Sequence, residues 1–474
     1  MIHDTYPAVS PLREPVASRF KILGIASTVA LGGFLVGFDA TVISGAVPFI
    51  RDYFGLGGAD GSLKLGWAVS CLGWGAMLGN LAAGPLSDRL GRRTVLLLTA
   101  LLFFISSLTA ASSTNFALFV VARICGGFGV GAAILTAPVY IAEIAPAQRR
   151  GSLVSLNQLM IVIGISVSFF SNYFLLSVTD GNWRWMLGVQ AIPAALYFLL
   201  LMLVPESPRW LVGKGRQQRA MEILRSVHGG TESQKELAQI QGSLQEKKRR
   251  VSIRQLFDTR LRRVLLFGLG IAFFQQATGI NAIFYYLPSI FTQAGGSLAT
   301  SFGQSVLVGL VNVGMTFVAI WLIDRLGRKP LLCAGVAGMS VSLLCIGWAF
   351  HGADAASGSV SHPLLVLPAI VGFVASFAVS LGPVMWVLLS EIFPNEERAA
   401  AISVVGFWNS LISATVTLVF PMEIATFGPS FTFLCYGLIA VVGLVFILRL
   451  APETKGKTLE ELEGMLTRSS RTVT

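Results

Sequence analysis

Two charged residues, Asp39 and Arg123, stand inside long apolar stretches of this sequence. An ionised side chain at membrane depth costs about 2.5–3.5 kcal/mol on insertion scales, so it usually has a partner and a function. We therefore expect Asp39 and Arg123 to pair with each other. A carboxyl group that alternates between a paired and a protonated form can carry a proton. A fixed ion pair that only joins two helices is the alternative.

A second group of polar residues in apolar stretches consists of amides and aromatic residues. Asn281 and Tyr285 are one helical turn apart and share a face, and Gly279 could loosen the helix there. Amides both donate and accept hydrogen bonds, which suits sugar hydroxyls, and an aromatic ring covers the apolar face of a sugar. The pattern favours a neutral polyhydroxylated ligand, and hydrogen bonding between helices without a ligand is the alternative. The group contains Gln158, Gln275, Gln276, Asn281, Tyr285, Asn312, Trp386 and Asn409.

Patterns that would indicate an enzyme are weak. The five cysteines have neither metal-ligand nor disulfide spacing, and no cluster of His, Cys and carboxylates suggests a metal. The sequence Gly456-Lys457-Thr458 lacks the earlier glycine of a phosphate-binding loop. The glycines between residues 127 and 131 resemble a dinucleotide fingerprint, but they lie in mid-span, where small residues favour close helix packing. We expect no enzyme activity, no metal and no cofactor.

Long apolar stretches must position these residues. Hydrophobic residues make up 54% of the 474-residue chain and charged residues only 12%, too little polar surface for a soluble protein of this size. About 20 apolar residues cross a bilayer as a helix. Twelve spans are predicted, at roughly 23–50, 65–86, 94–112, 116–137, 152–175, 185–204, 264–291, 303–323, 330–350, 363–390, 400–421 and 428–449.

The net charge of +11 is concentrated in alternate loops. Basic residues follow the second, fourth, eighth and tenth spans and fill the stretch 205–263, whereas the other loops contain few of them. By the positive-inside rule both termini and the long middle loop are cytoplasmic. The sequence therefore predicts a multi-pass protein of the cell (inner or plasma) membrane, in contact with lipid and not with nucleic acid.

Two short motifs occur twice, each copy between apolar stretches. Residues 88–93 recur as 324–329, an offset of 236 (324 minus 88), and residues 143–146 recur as 391–394, an offset of 248 (391 minus 143). Both offsets are near half the chain, which indicates a duplicated six-helix unit, a common transporter architecture. The predicted divisions are a first bundle over 1–204, a helical linker over 205–263, a second bundle over 264–450 and a cytoplasmic tail over 451–474.

Nine motifs in register resemble the sugar porter family of the major facilitator superfamily. They lie at 37–39, 84–93, 123, 143–151, 205–209, 275–281, 324–329, 382–398 and 452–454. The resemblance implies an all-α fold of two pseudo-symmetric six-helix bundles with a short cytoplasmic helical domain, and transport by alternating access. It also implies that Gly382 joins the amide and aromatic group above as a sugar contact. Asp39 is similar to the acid of bacterial xylose–proton symporters, where facilitative glucose carriers typically have Asn.

The repeated basic motifs are interpreted as a cytoplasmic gate whose ion pairs close that side in one state and separate in the other. Formation of tight turns and membrane topology alone are the alternative. The gate residues are Asp88, Arg92, Arg93, Glu143, Arg149, Glu206, Asp324, Arg328, Glu391 and Arg398.

The sequence therefore predicts a secondary active transporter, a proton-coupled symporter of a hexose or pentose that functions as a monomer. The alternatives are a facilitative uniporter of a sugar or a polyol such as inositol and, with less support, a sugar sensor. Ser410 stands where several relatives have an aromatic residue, and Val36 stands where a xylose transporter of the family has a larger aromatic one, so no single sugar is predicted.

Overall fold

The computed structural model describes residues 16–146, 149–178, 181–228, 230–246, 259–352, 360–394 and 397–455. Within these ranges the regular secondary structure is entirely helical. The helices are α1 Val16–Tyr53, α2 Gly58–Leu90, α3 Arg92–Ser112, α4 Phe116–Ile144, α5 Arg150–Leu175, α6 Asn182–Gly188, α7 Ala191–Leu203, α8 Pro208–Gly213, α9 Gln217–His228, α10 Gly230–Glu246, α11 Thr259–Ala277, α12 Ile280–Gln293, α13 Leu298–Leu326, α14 Arg328–Ala349, α15 Pro363–Val379, α16 Val384–Ile392 and α17 Arg398–Leu450.

Twelve membrane spans follow from these helices. Ten helical stretches in the described ranges are long and apolar enough to cross a membrane. The last of them, Ala400–Leu450, has 51 residues, about 77 Å at 1.5 Å per residue, and a bilayer core is about 30 Å thick. It therefore contains two spans, which meet at Gly428, where φ is 79°. The glycine-rich α2 is the remaining span, with 33 residues.

Three spans that the sequence predicts as continuous are broken. The predicted span 185–204 is divided between α6 and α7, the span 264–291 between α11 and α12, and the span 363–390 between α15 and α16. The second break lies at Gly279, whose φ of 82° interrupts the helix, as its sequence position suggests. The third contains Gly382 and Pro383, which disfavour helix continuation.

Helices α1–α7 form one half of the transmembrane region and α11–α17 form the other. In the first half, α1 packs on α5 and α2 packs on α4, while in the second half α14 packs on α15 and α17. Gly127 and Gly131 of α4 lie so close to α2 that a Cβ would stand 2.1 and 2.0 Å from the carbonyl oxygens of Leu72 and Ala76. This contact agrees with the packing role predicted for these glycines.

The short helices α8–α10 lie between the halves in sequence and pack against the first half. They share a small core that contains Leu211, Leu224 and Ile240. The indole Nε1 of Trp210 donates to the carbonyl oxygen of Asp88 at 3.1 Å, at the end of α2. These helices therefore mark the face of the molecule that carries the repeated basic motifs, called the basic face below.

Candidate substrate and proton site

The structure brings Asp39 of α1 and Arg123 of α4 together in the first half. Their exposed fractions are 1% and 2%. The guanidinium forms an ion pair with Oδ1 of Asp39 through Nη1, and Nη2 donates to the carbonyl oxygen of Asp39 at 3.1 Å. One guanidinium thus binds both the carboxylate and the backbone of the same residue, which fixes the position of the acid on its helix.

Part of this ion pair has no hydrogen-bond partner among the described residues. Oδ2 of Asp39 and Nε of Arg123 are both buried and without a partner. Oδ2 faces Gly126, where a Cβ would stand 3.2 Å away. A buried carboxylate oxygen without a donor is unfavourable. Oδ2 is therefore an oxygen at which a proton can be added without displacing an existing hydrogen bond.

In the second half, four amides form one connected network where α11, α12 and α17 meet. Nδ2 of Asn409 donates to Oε1 of Gln275 at 2.7 Å, and Nε2 of Gln276 donates to Oδ1 of Asn409 at 3.1 Å. Nδ2 of Asn281 donates to Oε1 of Gln276 at 3.0 Å and to Oγ of Ser413 at 2.7 Å. Each amide is held by its neighbours, so the network is ordered before any ligand enters.

The network reaches the break between α15 and α16. Nε2 of Gln275 donates to the carbonyl oxygen of Leu381 at 2.7 Å. That carbonyl belongs to the interrupted segment, where the helix ladder does not continue. Gly382 follows it, and Trp386 lies one turn further along with 37% of its surface exposed. The break therefore places the carbonyl oxygen of Leu381 against the amide of Gln275, with the indole ring of Trp386 one turn away.

The other predicted contact residues lie on α5, α12 and α13. Tyr285 lies one turn after Asn281, so both side chains share a face of α12. Asn312 is buried on α13, with 4% of its surface exposed. Gln158 is exposed on α5. The proton-carrying candidate and the amide network therefore lie on opposite halves of the transmembrane region.

Comparison with known proteins gives the family. The family model for sugar (and other) transporters matches residues 25–466. The arabinose-proton symporter of Bacillus subtilis (strain 168) is 38% identical over 464 residues, which cover 96% of this chain and 97% of that protein. The chain belongs to the sugar transporter family. The D-xylose-proton symporter of Escherichia coli (strain K12) is 38% identical over 478 residues, 94% of this chain and 95% of its own.

A solved structure identifies the fold of this transporter. The inward-open conformation of the xylose transporter XylE from E. coli matches with a TM-score of 0.81 and 36% identity, covering 94% of this chain and 99% of that chain. The predicted fold of two six-helix bundles is thereby confirmed. The family is one of transporters, in agreement with the prediction that the chain is not an enzyme.

The two halves of this sugar transporter contact each other away from the basic face. Asn80 Nδ2 donates to Oγ of Ser410 at 3.2 Å, and Ser166 Oγ donates to the carbonyl oxygen of Gly309 at 2.6 Å. Ser410 lies 12 residues from the start of α17, about 18 Å from the basic face. These contacts lie well inside the membrane, between the basic face and the opposite ends of the helices.

Gln158 shows that the side nearer the basic face is open. It lies eleven residues before Phe169 on α5, about three turns, so the two share a face. Phe169 is buried, and its ring lies 6.3 Å from that of Phe284 in the other half. Gln158, nearer the basic face, is exposed. The halves therefore diverge between Phe169 and Gln158, and the structure opens toward the basic face.

At the basic face, the first half contains a compact polar cluster. Arg92 Nε lies 3.1 Å from Oε2 of Glu143, and Ser207 Oγ donates to that carboxylate at 2.5 Å. Glu206 accepts from the backbone N–H of Arg93 at 3.0 Å, at the start of α3. The cluster thus joins α3, α4 and the segment after α7 within one half.

The second half repeats this cluster. Arg328 Nη2 lies 2.8 Å from Oε1 of Glu391, and Thr454 Oγ1 donates to that carboxylate at 2.5 Å. Glu453 accepts from the backbone N–H groups of Arg328 and Lys329 at 3.2 and 3.1 Å. Glu453 therefore accepts backbone hydrogen bonds at the start of α14, as Glu206 does at the start of α3.

Glu453, Ser207 and Thr454 were not among the predicted site residues. A signal for them exists, because Pro205-Glu206-Ser207 recurs as Pro452-Glu453-Thr454 with an offset of 247 (453 minus 206), close to the offsets of the other repeats. Burial raises the pKa of Glu453, but backbone hydrogen bonds from Lys455, Arg328 and Lys329 outweigh it, so the pKa lies below 4.5.

Other predicted gate residues are arranged differently from the expected carboxylate pairs. The guanidinium of Arg93 donates to the carbonyl oxygens of Leu201 and Met202, and Nε of Arg398 donates to that of Phe393. Arg149 is exposed. Among the described residues these three arginines have no carboxylate partner for their guanidinium groups. Arg side chains at the ends of helices bind free carbonyl oxygens, which explains this arrangement.

Asp88 and Asp324 are the remaining predicted gate residues. Asp88 forms an i,i+4 ion pair with Arg92 at 3.3 Å and is largely exposed. Asp324 lies near the end of α13, and its side chain is outside the described part of the structure.

Proposed function

We propose that this protein is a secondary active transporter that carries a hexose or pentose across the cell membrane together with a proton, as a monomer, by alternating access. The observation that carries the proposal is that a buried Asp39–Arg123 pair in one half occurs together with a connected amide network in the other. Relatives whose names specify arabinose-proton and D-xylose-proton symport support both the substrate class and the coupling.

The basic face is cytoplasmic by the positive-inside rule, with both termini on that side. The structure is then an inward-open state, in which sugar and proton leave toward the cytoplasm. In the outward-open state the halves rock about the same site, and the inter-half contact of Phe169 with Phe284, farther from the basic face, separates. A rotation of this kind changes contacts between the halves while each half keeps its internal pairs.

Sugar binding uses the amide network of the second half. Gln275, Gln276, Asn281 and Asn409 each have both donor and acceptor groups, and a sugar hydroxyl can replace the neighbouring amide in each bond. Because the amides are already oriented, little conformational entropy is lost when the ligand enters. Gln158, Asn312 and Trp386 would complete the contacts as the halves close, together with Gly382 and Tyr285.

Proton coupling uses the acid of the first half. In the outward-open state Asp39 takes up a proton from outside, and in the inward-open state Arg123 pairs with the carboxylate and displaces the proton. An opposite charge favours the ionised form, whereas a carboxylate without its cation in an apolar environment favours the neutral form. The unpartnered Oδ2 of Asp39 is the atom to which the proton adds.

The basic-face clusters act as the gate. In this state Arg92 pairs with Glu143 and Arg328 with Glu391, each within one half. When the halves close at this face, the two clusters approach, and Arg149 and Arg398 gain carboxylate partners across the gap. Surface ion pairs are worth at most about 1 kcal/mol each, so several together can shift a two-state balance of a few kcal/mol.

A facilitative uniporter is the second candidate. Arg123 binds Asp39 at two points, the carboxylate and the backbone carbonyl. If this pair never opens, Asp39 carries no proton and the protein is a uniporter. Such a protein equilibrates its sugar and does not concentrate it.

Transport in proteoliposomes separates the two. Asp39→Asn removes the titrating group and keeps an amide of the same size, so accumulation of labelled D-xylose driven by a pH gradient should disappear while counterflow exchange continues. Asp52→Asn, which neutralises an exposed carboxylate at the end of the same helix, is the matched control and should accumulate normally. Undiminished accumulation by Asp39→Asn would refute the coupling role. Wild-type protein that transports sugar but never accumulates it would be a uniporter.

A further inference from the structure

An aromatic ring packs against the helix break that precedes α12. Gly279 has φ 82°, and a Cβ on it would stand 2.5 Å from two ring atoms of Tyr436. Tyr436 lies on the last span, after the kink at Gly428, with 5% of its surface exposed. The ring therefore occupies the space that any larger residue at position 279 would need, and it supports the backbone at the turn.

The far end of the same ring is held by a carboxylate. The hydroxyl of Tyr436 donates to Oε2 of Glu423 at 2.7 Å. Glu423 is partly buried and lies before Gly428, on the segment of α17 that precedes the kink. Hydrogen bonds to charged groups are about twice as strong as neutral ones. The ring is thus fixed at its hydroxyl by one segment and in contact with Gly279 at its edge.

A second contact joins α12 to the same segment. The ring of Phe420 lies 5.2 Å from that of Tyr286 and 6.3 Å from that of Tyr436. The hydroxyl of Tyr286 reaches the carbonyl oxygen of Thr417 at 3.5 Å. The first two turns of α12 are therefore in contact along one side with Phe420, which also contacts Tyr436.

The geometry of the break affects the sugar site because the two are adjacent in sequence. Asn281 follows Gly279 by two positions and joins the amide network, and Tyr285 lies one turn further on. The direction in which α12 leaves the break determines where both side chains point. We propose that Glu423 and Tyr436 are positioning residues of the sugar site, which hold the break at Gly279 so that Asn281 and Tyr285 face the ligand. The proposal rests on the sugar-binding function proposed above.

Equilibrium binding of D-xylose to the purified protein, followed by tryptophan fluorescence, tests this. Tyr436→Phe keeps the ring that supports Gly279 and removes only the hydrogen bond, so the protein should fold. Its Kd should rise about tenfold, as expected for the loss of a bond to a charged group. Glu423→Ala should have a similar effect. Tyr197→Phe, which removes another buried hydroxyl in the first half, is the matched control and should leave the Kd unchanged.

The double variant separates positioning from general destabilisation. If Tyr436 and Glu423 act through one bond, Tyr436→Phe combined with Glu423→Ala should bind no more weakly than either single variant. Fully additive losses, or an unchanged Kd in Tyr436→Phe, would overturn the proposal. Glu423→Gln keeps an acceptor oxygen and should recover at least half of the loss. An equal loss in the Gln and Ala variants would assign the effect to charge and overturn the hydrogen-bond argument.

The wild-type protein distinguishes this proposal from the function on which it rests. If the wild type binds none of D-xylose, arabinose and glucose, the sugar-binding function fails. If the wild type binds one of them and Tyr436→Phe binds it equally well, only the positioning role fails.

Discussion

Replacement of Gly327 by alanine should destabilise the second half at the basic face. Gly327 joins α13 to α14 with φ 91° and ψ 169°, a region that is essentially confined to glycine and costs about 1–3 kcal/mol for other residues. The new Cβ would stand 2.9 and 3.0 Å from the two carboxylate oxygens of Glu453. The carboxylate must move, and α14 loses a cap worth about 1 kcal/mol. The total is about 2–4 kcal/mol.

The chain provides a control and a duplicate for this experiment. Gly314 lies within α13, and a Cβ on it would meet no atom within 4 Å. Gly314→Ala should therefore leave the stability unchanged or raise it slightly, because alanine favours a helix. Gly91→Ala is the duplicate in the first half, with φ 97° and a Cβ 2.3 Å from Oε2 of Glu206, and should destabilise at least as strongly.

Thermal unfolding in detergent, followed by the fluorescence of the nine tryptophans, measures the effect. At about 2–4 °C per kcal/mol for a unit of 150–250 residues, Gly327→Ala should unfold at least about 4 °C below the wild type. A wild-type Tm for both Gly327→Ala and Gly91→Ala would refute the argument that the two turns require glycine and a carboxylate cap.

Two further predictions concern the cap and the amide network. Because the folded-state pKa of Glu453 lies below 4.5, its stabilising effect is present above about pH 4.5 and is lost as the pH falls through the folded-state value. The difference in Tm between the wild type and Glu453→Ala should therefore shrink as the pH falls from about 6 to below about 4.5, and a constant difference would contradict this. Asn281→Ala should weaken sugar binding at least tenfold, since it removes two hydrogen bonds of the network, whereas Ser62→Ala, at the far end of α2, should bind normally.

Isolated polar residues in apolar stretches were the most informative part of the sequence. Asp39 and Arg123 could be paired from sequence because an unpaired charge at membrane depth is so unfavourable. The amides of the second half could be grouped for a similar reason. Ser413, which accepts from Asn281, could not be found, because a serine in a membrane helix commonly bonds to its own backbone and gives no distinct signal.

The helix breaks were only partly predictable. Gly279 stood beside polar residues and suggested a loosened helix, but hydropathy gives no φ value, and the span from 363 to 390 was predicted as continuous although it contains Gly382 and Pro383. The repeat of residues 205–207 at 452–454 is present in the sequence. It directly follows the last span of each half, so a comparison of the spans alone does not include it.

The conformational state could not be derived from the sequence. Inward-open and outward-open states use the same residues and differ by only a few kcal/mol, so a single sequence is compatible with both. The buried contact of Phe169 with Phe284 and the exposure of Gln158 distinguish them, and both are properties of how the halves are arranged.

Proton uptake on addition of sugar tests the central claim most directly. Wild-type protein is reconstituted in liposomes that contain a pH-sensitive dye, and D-xylose, arabinose or glucose is added outside without a pre-formed pH gradient. We predict that the transported sugar acidifies the interior in the wild type and that Asp39→Asn produces no such signal. Sugar entry by the wild type without any acidification would contradict proton coupling through Asp39.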